Sequence, residues 1–303
     1  MNWRALAIGA CGLAAPCIAL GAQGAPSTDI WMVSLEGPGI PRVGRAENLT
    51  HRTGYDNQPA FTPDGRAILY TVVEGNGPSD IWRLDLGSRE RTNVTRTAVE
   101  SEYSATPMPD GLHFSTVRVE ADSTQRLWRF ALRGDEAPVL LLPAIKPVGY
   151  HVWAGDATLG LYVLGAPLGT PGSPPSTLQL ADLRTGTAEV VARDIGRALQ
   201  KIPGRASISF LQQGRGGAVI SELNVLTGGV TPIAKSPERS EYHVWTADGV
   251  LIAGVGSRLM VWKDGRWDVL ADLAADGVRG ISRLAISPTG DRLAFVAEDR
   301  AVP

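Results

Sequence analysis

Short apolar runs separated by turn residues dominate the chain. Ala67–Val73, Leu112–Val119 and Arg292–Ala297 are typical, and each begins just after a turn built from Pro, Asp and Gly. Runs of this length, rich in β-branched and aromatic residues, predict strands. No stretch between them carries an amphipathic helical period for longer than a turn or two. The pattern therefore predicts an all-β chain of many short strands.

The turns recur in register. Pro63-Asp64-Gly65 and Pro109-Asp110-Gly111 are full copies, Ala247-Asp248-Gly249 and Pro288-Thr289-Gly290 are near ones, and Gly155-Asp156-Ala157 and Pro203-Gly204-Arg205 fall in phase. Proline presets φ for the second position of a turn and glycine accepts the left-handed conformation that closes it, so each copy reads as a hairpin. A polar-aliphatic-aromatic triplet opens the following strand in Asp29-Ile30-Trp31, Asp80-Ile81-Trp82 and Arg126-Leu127-Trp128. Ser176-Thr177-Leu178, Val219-Ile220-Ser221 and Arg258-Leu259-Met260 hold the same place. Four-stranded units returning roughly every 40 to 50 residues are the signature of stacked sheets.

Six turns and six triplets predict a six-bladed β-propeller of four-stranded antiparallel blades. The phase adds a detail, because Asp29 begins at the third strand of a unit and the last strand, Leu293–Ala297, is a second strand. The closing blade is thus expected to join N-terminal strands to C-terminal ones, hiding two sheet edges. Pro59-Ala60-Phe61-Thr62-Pro63-Asp64-Gly65 followed by Asp80-Ile81-Trp82 resembles the repeat of the TolB-like six-bladed propellers. The resemblance is specific in blades 1, 2 and 6, looser in blades 3 to 5, and covers the propeller part only. A role in the Tol system does not carry over with it.

Residues 1–24 read as a cleaved signal peptide. Arg4 precedes an apolar run from Ala5 to Leu20, and small residues follow. Residues 25–303 are then expected as a single propeller domain, exported to the periplasm or outside the cell. Both cysteines, Cys11 and Cys17, lie in the leader, so no disulfide framework is expected. The 29 basic and 31 acidic residues give a net charge of −2, which argues against nucleic acid as a partner, and no later stretch has the length of a membrane span. Asn48-Leu49-Thr50 and Asn93-Val94-Thr95 match the glycosylation acceptor pattern, but both fall where a repeat strand ends, and the strand reading is preferred.

Propeller ligands meet the loops around one mouth of the central channel. The phasing places Asp56, Glu102, Tyr150, Arg197, Glu241, Tyr242 and Arg283 there, with Tyr55, Asn57 and Tyr103 close by. Carboxylates, guanidiniums and phenols together suit a polar or peptide-like ligand, and equally a solvated rim tied by surface ion pairs. Tyr150-His151-Val152-Trp153 recurs as Tyr242-His243-Val244-Trp245. Trp153, Trp245 and Phe61 share one repeat position and are expected to wedge between blades. His151 and His243 are expected either to pack there or to hold a metal at the mouth with carboxylate help. The 165–175 segment, rich in Gly and Pro, is the longest connection and lies on the mouth side, as a ligand lid or a tolerated insertion.

Two functions remain open at this level. The first is a monomeric, non-catalytic binding or scaffolding propeller that takes a protein segment or small polar ligand of the cell envelope and needs no cofactor. The second is a metal-assisted lyase or hydrolase on a carbohydrate or peptide; a metal-dependent lyase of polyuronides is one use of a propeller with a related repeat. Nucleophilic hydrolysis has no support, since no Gly-x-Ser-x-Gly occurs.

Overall fold

The computed structural model describes residues 27–167 and 169–298. The expected leader, with Cys11 and Cys17, lies outside the described residues. Within them the chain forms six antiparallel blades, and the single helical element is a 3-10 turn at Ala274–Asp276.

Blade 1 comprises Tyr55–Phe61, Ala67–Val73, Ser79–Asp85 and Arg91–Asn93. Blade 2 follows with Ser101–Pro107, His113–Val119, Gln125–Ala131 and Val139–Leu141. Blades 3, 4 and 5 begin at Val148–Trp153, Ile195–Lys201 and His243–Trp245, each followed by three more strands. Blade 6 takes Ser282–Ile286 and Arg292–Glu298 from the C-terminal end. Its third strand is Thr28–Glu36 and its fourth is Glu47–Asn48. Asp29 pairs with Ala297 and Ser34 with Arg292, so the N-terminal strand closes the ring as its phase predicts.

Six apolar clusters hold the ring, one at each interface between neighbouring blades. Phe61 packs with Ile30 and Val296 of blade 6, Trp153 with Val117 and Leu127 of blade 2, and Trp245 beside Leu211 and Ile220 of blade 4. The aromatics before the turns are interblade wedges. Their burial is where the hydrophobic stabilisation concentrates, at about 25 cal/mol per Å² removed from water.

The Asp-Ile-Trp triplet has a specific partner. Asn93 Nδ2 donates to Asp80 Oδ2 at 2.8 Å and Thr95 Oγ1 to Asp80 Oδ1 at 2.9 Å. Asn48 and Thr50 hold Asp29 in the same way at 2.7 and 2.8 Å. The two Asn-x-Thr segments are therefore the inner clasp of the outer strand, and their amide nitrogens are already engaged.

Candidate functional site

Phe61, Pro107, Trp153, Lys201, Trp245 and Ile286 occupy one pairing position, opposite Ile68, Phe114, Leu159, Ile208, Leu251 and Leu293. Three residues earlier in each blade stand Gln58, Ser104, Tyr150, Ala198, Tyr242 and Arg283. All six line a cavity of ≈ 280 Å³ on the propeller axis. The innermost strands of blades 1 to 4 and of blade 6 carry a register shift just before this point. A bulge turns the side chain that follows it, which is how a strand running along the channel presents one residue into it. Gln58, Ser104 and Arg283 adopt φ of +57°, +58° and +51° there, a conformation that costs a residue with a side chain of order 1 kcal/mol.

The ring is lopsided. Gln58, Ser104 and Ala198 are small or tied down; Gln58 Oε1 accepts from Thr71 Oγ1 at 2.8 Å and from the Ser104 amide at 2.9 Å, joining blades 1 and 2. Tyr150, Tyr242 and Arg283 are large and gather together. Arg283 Nη2 donates to the Tyr150 hydroxyl at 3.0 Å. Its guanidinium carbon lies 5.0 Å from the centroid of the Tyr150 ring and 4.3 Å from that of Tyr242. Cation–ring contacts at these distances hold the guanidinium without neutralising it. Arg197 lines the same cavity and feels the Tyr150, Tyr242 and Glu241 oxygens. Among the described residues no carboxylate forms an ion pair with Arg197 or Arg283.

Burial pushes the Tyr242 and Tyr55 phenols up to about 12, with Arg283 working against it in both. Both are neutral donors at physiological pH. Tyr55 senses the charges of Arg283, Tyr150, Tyr103 and Tyr242, but only Tyr150 and Tyr242 touch the Arg283 guanidinium.

Six of the ten residues expected at or beside the mouth, Asp56, Glu102, Glu241, Tyr55, Asn57 and Tyr103, lie off the cavity wall. The Asp56 and Glu102 side chains are fully buried and absent from the cavity wall. Arg52 Nε donates to Asp56 Oδ1 at 2.8 Å, and Arg118 Nε to Glu102 Oε1 at 2.8 Å, with Thr97 Oγ1 donating to Oε2 at 2.7 Å. Burial raises both carboxyl pKa values, and their cations and hydroxyl neighbours oppose the shift. Their strand position is two residues before the bulge; Glu102 is held by Arg118 on the neighbouring strand of its own blade, and Asp56 by Arg52 from the segment that enters blade 1. Asn57 is buried beside them, with Nδ2 3.3 Å from Thr28 Oγ1. Glu241 is exposed and lines a neighbouring groove of ≈ 300 Å³, shared with Arg197, Tyr162 and Gly165–Pro167. The 165–175 connection closes on itself, the Ala166 amide donating to the Pro174 carbonyl at 2.8 Å. At Gly165 a Cβ would meet the Pro175 carbonyl carbon at 2.1 Å, so only glycine fits.

The two histidines are spent on structure. His151 Nε2 lies 2.6 Å from Ser115 Oγ in blade 2, which also accepts from Trp153 Nε1 at 2.9 Å. His243, Ser209 and Trp245 repeat the arrangement between blades 5 and 4, at 2.8 Å for both contacts. Burial lowers both imidazoles to about 3, so they are neutral. Each ring commits Nε2 to a serine and keeps Nδ1 buried without a hydrogen-bond partner among the described residues, and Asp56 and Glu102 are committed to arginines. Among the described residues no group of three His, Cys, Asp or Glu side chains is placed to hold a metal ion. The residues present do not fit a metal at the mouth.

Comparison with known proteins gives the same architecture. No family model matches the chain. It is similar to dipeptidyl-peptidase 5 of Porphyromonas gingivalis, 34% identical over 97 residues, which is 30% of this chain and 14% of that protein. The chain thus spans a small part of that relative's length. Among solved structures, a protein assigned as TolB from Agrobacterium tumefaciens superposes with a TM-score of 0.67 at 16% identity, over 92% of this chain and all of the other. An oligogalacturonate lyase in complex with manganese superposes at 0.55 and 14% identity, covering 84% of this chain and 80% of that one. Identities this low carry the fold and leave the activity open. The chain has the six-bladed propeller fold of the TolB-like structures.

Proposed function

We propose that this protein is a non-catalytic recognition propeller, exported to the bacterial envelope, whose channel mouth takes a small polar ligand or a segment of a protein partner. Residues 1–24 act in this reading as its cleaved leader and residues 25–303 as its one domain. The observation that carries the reading is the composition of the axial cavity. Tyr150, Tyr242, Arg197 and Arg283 converge there, while the Asp56 and Glu102 carboxylates are withdrawn to buried arginine partners and His151, which touches the cavity wall, spends its Nε2 on Ser115. Tyrosine and arginine dominate the energetics of recognition surfaces because they offer large, rigid contact area with a polar tip. A channel mouth ringed by rigid strands presents them with little ordering cost.

The alternative, a metal-assisted lyase or hydrolase, depended on His151 and His243 approaching the mouth as ligands, and their bonds to Ser115 and Ser209 remove that support. No described helix is long and apolar enough to cross a membrane. The test is affinity capture from a cell-envelope extract. The wild-type protein should retain a partner or ligand that the Tyr150→Ala, Arg197→Ala double variant loses with its thermal stability intact; equal retention by both would refute the reading.

A further inference from the structure

We propose that the axial cavity is a carboxylate-binding site, with Arg283 as the receiving group and Arg197, Tyr150 and Tyr242 as secondary donors. This rests on the mouth being the binding surface and names the chemistry it selects.

The argument begins with charge. Arg283 is half-buried in a cavity wall with Arg197 beside it, and neither has a carboxylate partner among the described residues. Elsewhere in the same fold, buried guanidiniums are neutralised: Arg52 by Asp56 and Arg118 by Glu102. A cation kept from water costs free energy unless an anion or oriented dipoles compensate. Arg283 receives only aromatic faces and one hydroxyl oxygen, which partly compensate and leave the net charge in place.

Hydrogen bonding points the same way. The Tyr150 oxygen accepts from Arg283, so its own proton is free to be donated. Tyr242, a neutral phenol, is on the same wall. With Arg197 added, the lining offers four donor side chains around one pocket. The Glu241 carboxylate lies in the outer groove, which Arg197 also lines, and partly offsets Arg197, so Arg283 is the cation left without a carboxylate nearby. A donor-rich, cation-bearing pocket of ≈ 280 Å³ is matched by an acceptor-only anion on a small body. The two tyrosine rings within about 5 Å of the Arg283 guanidinium narrow the approach to it. A flat carboxylate enters such a slot more readily than a tetrahedral phosphate. Two sources carry the same group: a free organic acid and the C-terminal end of a peptide chain.

Isothermal titration calorimetry of the intact protein separates these. Succinate and succinamide form one pair of probes, trialanine and its C-terminal amide the other, and inorganic phosphate is the comparison anion. The expected result is binding of at least one free acid, at least tenfold tighter than its amide and tighter than phosphate. The pair that shows the difference identifies the source. Arg283→Gln should weaken that binding at least tenfold, and Tyr150→Phe severalfold. Gln58 already occupies the equivalent bulge at φ +57°, so glutamine fits the backbone demanded at position 283. Arg283→Lys, which keeps the charge and loses the fork, should fall between. Equal affinity for acid and amide, tighter phosphate binding, or no binding by either acid would each overturn the carboxylate assignment. Envelope capture that still depends on Tyr150 and Arg197 would in that case leave the mouth itself as the binding surface, so the two proposals fail separately.

Discussion

His151 Nε2 sits 2.6 Å from Ser115 Oγ across the interface of blades 3 and 2, and the pair obeys a rule visible around the whole ring. The position two residues before Trp153 is filled by His151 and His243 in blades 3 and 5, where the facing residue of the preceding blade is Ser115 or Ser209. Leu199, Leu284, Pro59 and Ala105 fill it in the other blades, where the residue of the preceding blade at the Ser115 repeat position is Gly160, Ile252, Ala294 or Leu69. The serine meets Nε2 of each histidine where an apolar residue would leave both ring nitrogens unmatched, and each unmatched buried group costs about 1–3 kcal/mol.

Ser115→Ala is therefore expected to destabilise the fold by about 2–4 kcal/mol, since it strands both the His151 ring and the Trp153 indole N–H. Adding His151→Leu, the residue found opposite Ile252, should recover part of that loss. Urea unfolding of the four proteins of the cycle gives the coupling; additive effects would contradict the pairing.

The same histidines set an acid limit. Each has a folded-state pKa of about 3 against an ordinary value of 6.5, so between those values the unfolded chain binds the proton. Stability therefore falls as pH drops below about 6.5 and continues to fall toward about 3, at up to about 1.4 kcal/mol per unit for each histidine. Asp56 and Glu102 act in the opposite sense, because burial raises their carboxyl pKa values and the folded state holds those protons longer. Comparing wild type with Ser115→Ala, His151→Leu cancels that contribution. The variant's stability between pH 6.5 and 4.5 should slope by about one proton less; identical slopes would contradict the neutral buried imidazole.

The Asp80 clasp supports three donors, from Asn93, Thr95 and Thr97. Asp80→Ala is expected to cost about 2 kcal/mol and to loosen Arg91–Asn93 from its sheet. A thermal melt with proteolysis of the outer strand checks it, and an unchanged melting temperature would show the clasp to be dispensable.

Ring closure predicts cooperative protection. Amides of Thr28–Glu36 should exchange with solvent as slowly as those of Ala67–Val73, because both are central strands of complete blades. Fast exchange confined to Thr28–Glu36 would mean that the N-terminal strand does not hold the ring shut.

The blades, their phase and the shared closing sheet were legible because turn chemistry and strand period are local, and Pro63-Asp64-Gly65 announces both. The wedging aromatics were legible for the same reason. The channel lining was only half legible. Tyr150, Tyr242 and Arg283 were placed there by the phasing from the turns, whereas Gln58, Ser104 and Ala198 at the same position were passed over. In blades 1, 2 and 6 the bulge that aims the lining residue is not marked by glycine; Gln58, Ser104 and Arg283 take a left-handed backbone without one. That offset also carried Asp56 and Glu102 into the expected mouth, when the strand turns them toward Arg52 and Arg118. Counting three residues back from Phe61 and its equivalents would have found the ring. The serine partners of the histidines needed a comparison across blades rather than along one.

The most direct test places a photo-crosslinking phenylalanine analogue at Glu241, exposed beside the mouth, and a second at Leu112, 68% exposed at the turn on the opposite face. Irradiated in the cell envelope, the protein labelled at position 241 should form a discrete adduct that the Tyr150→Ala, Arg197→Ala background abolishes, while position 112 forms none. Adducts from position 112 alone, or adducts from 241 that survive both substitutions, would contradict recognition at the channel mouth.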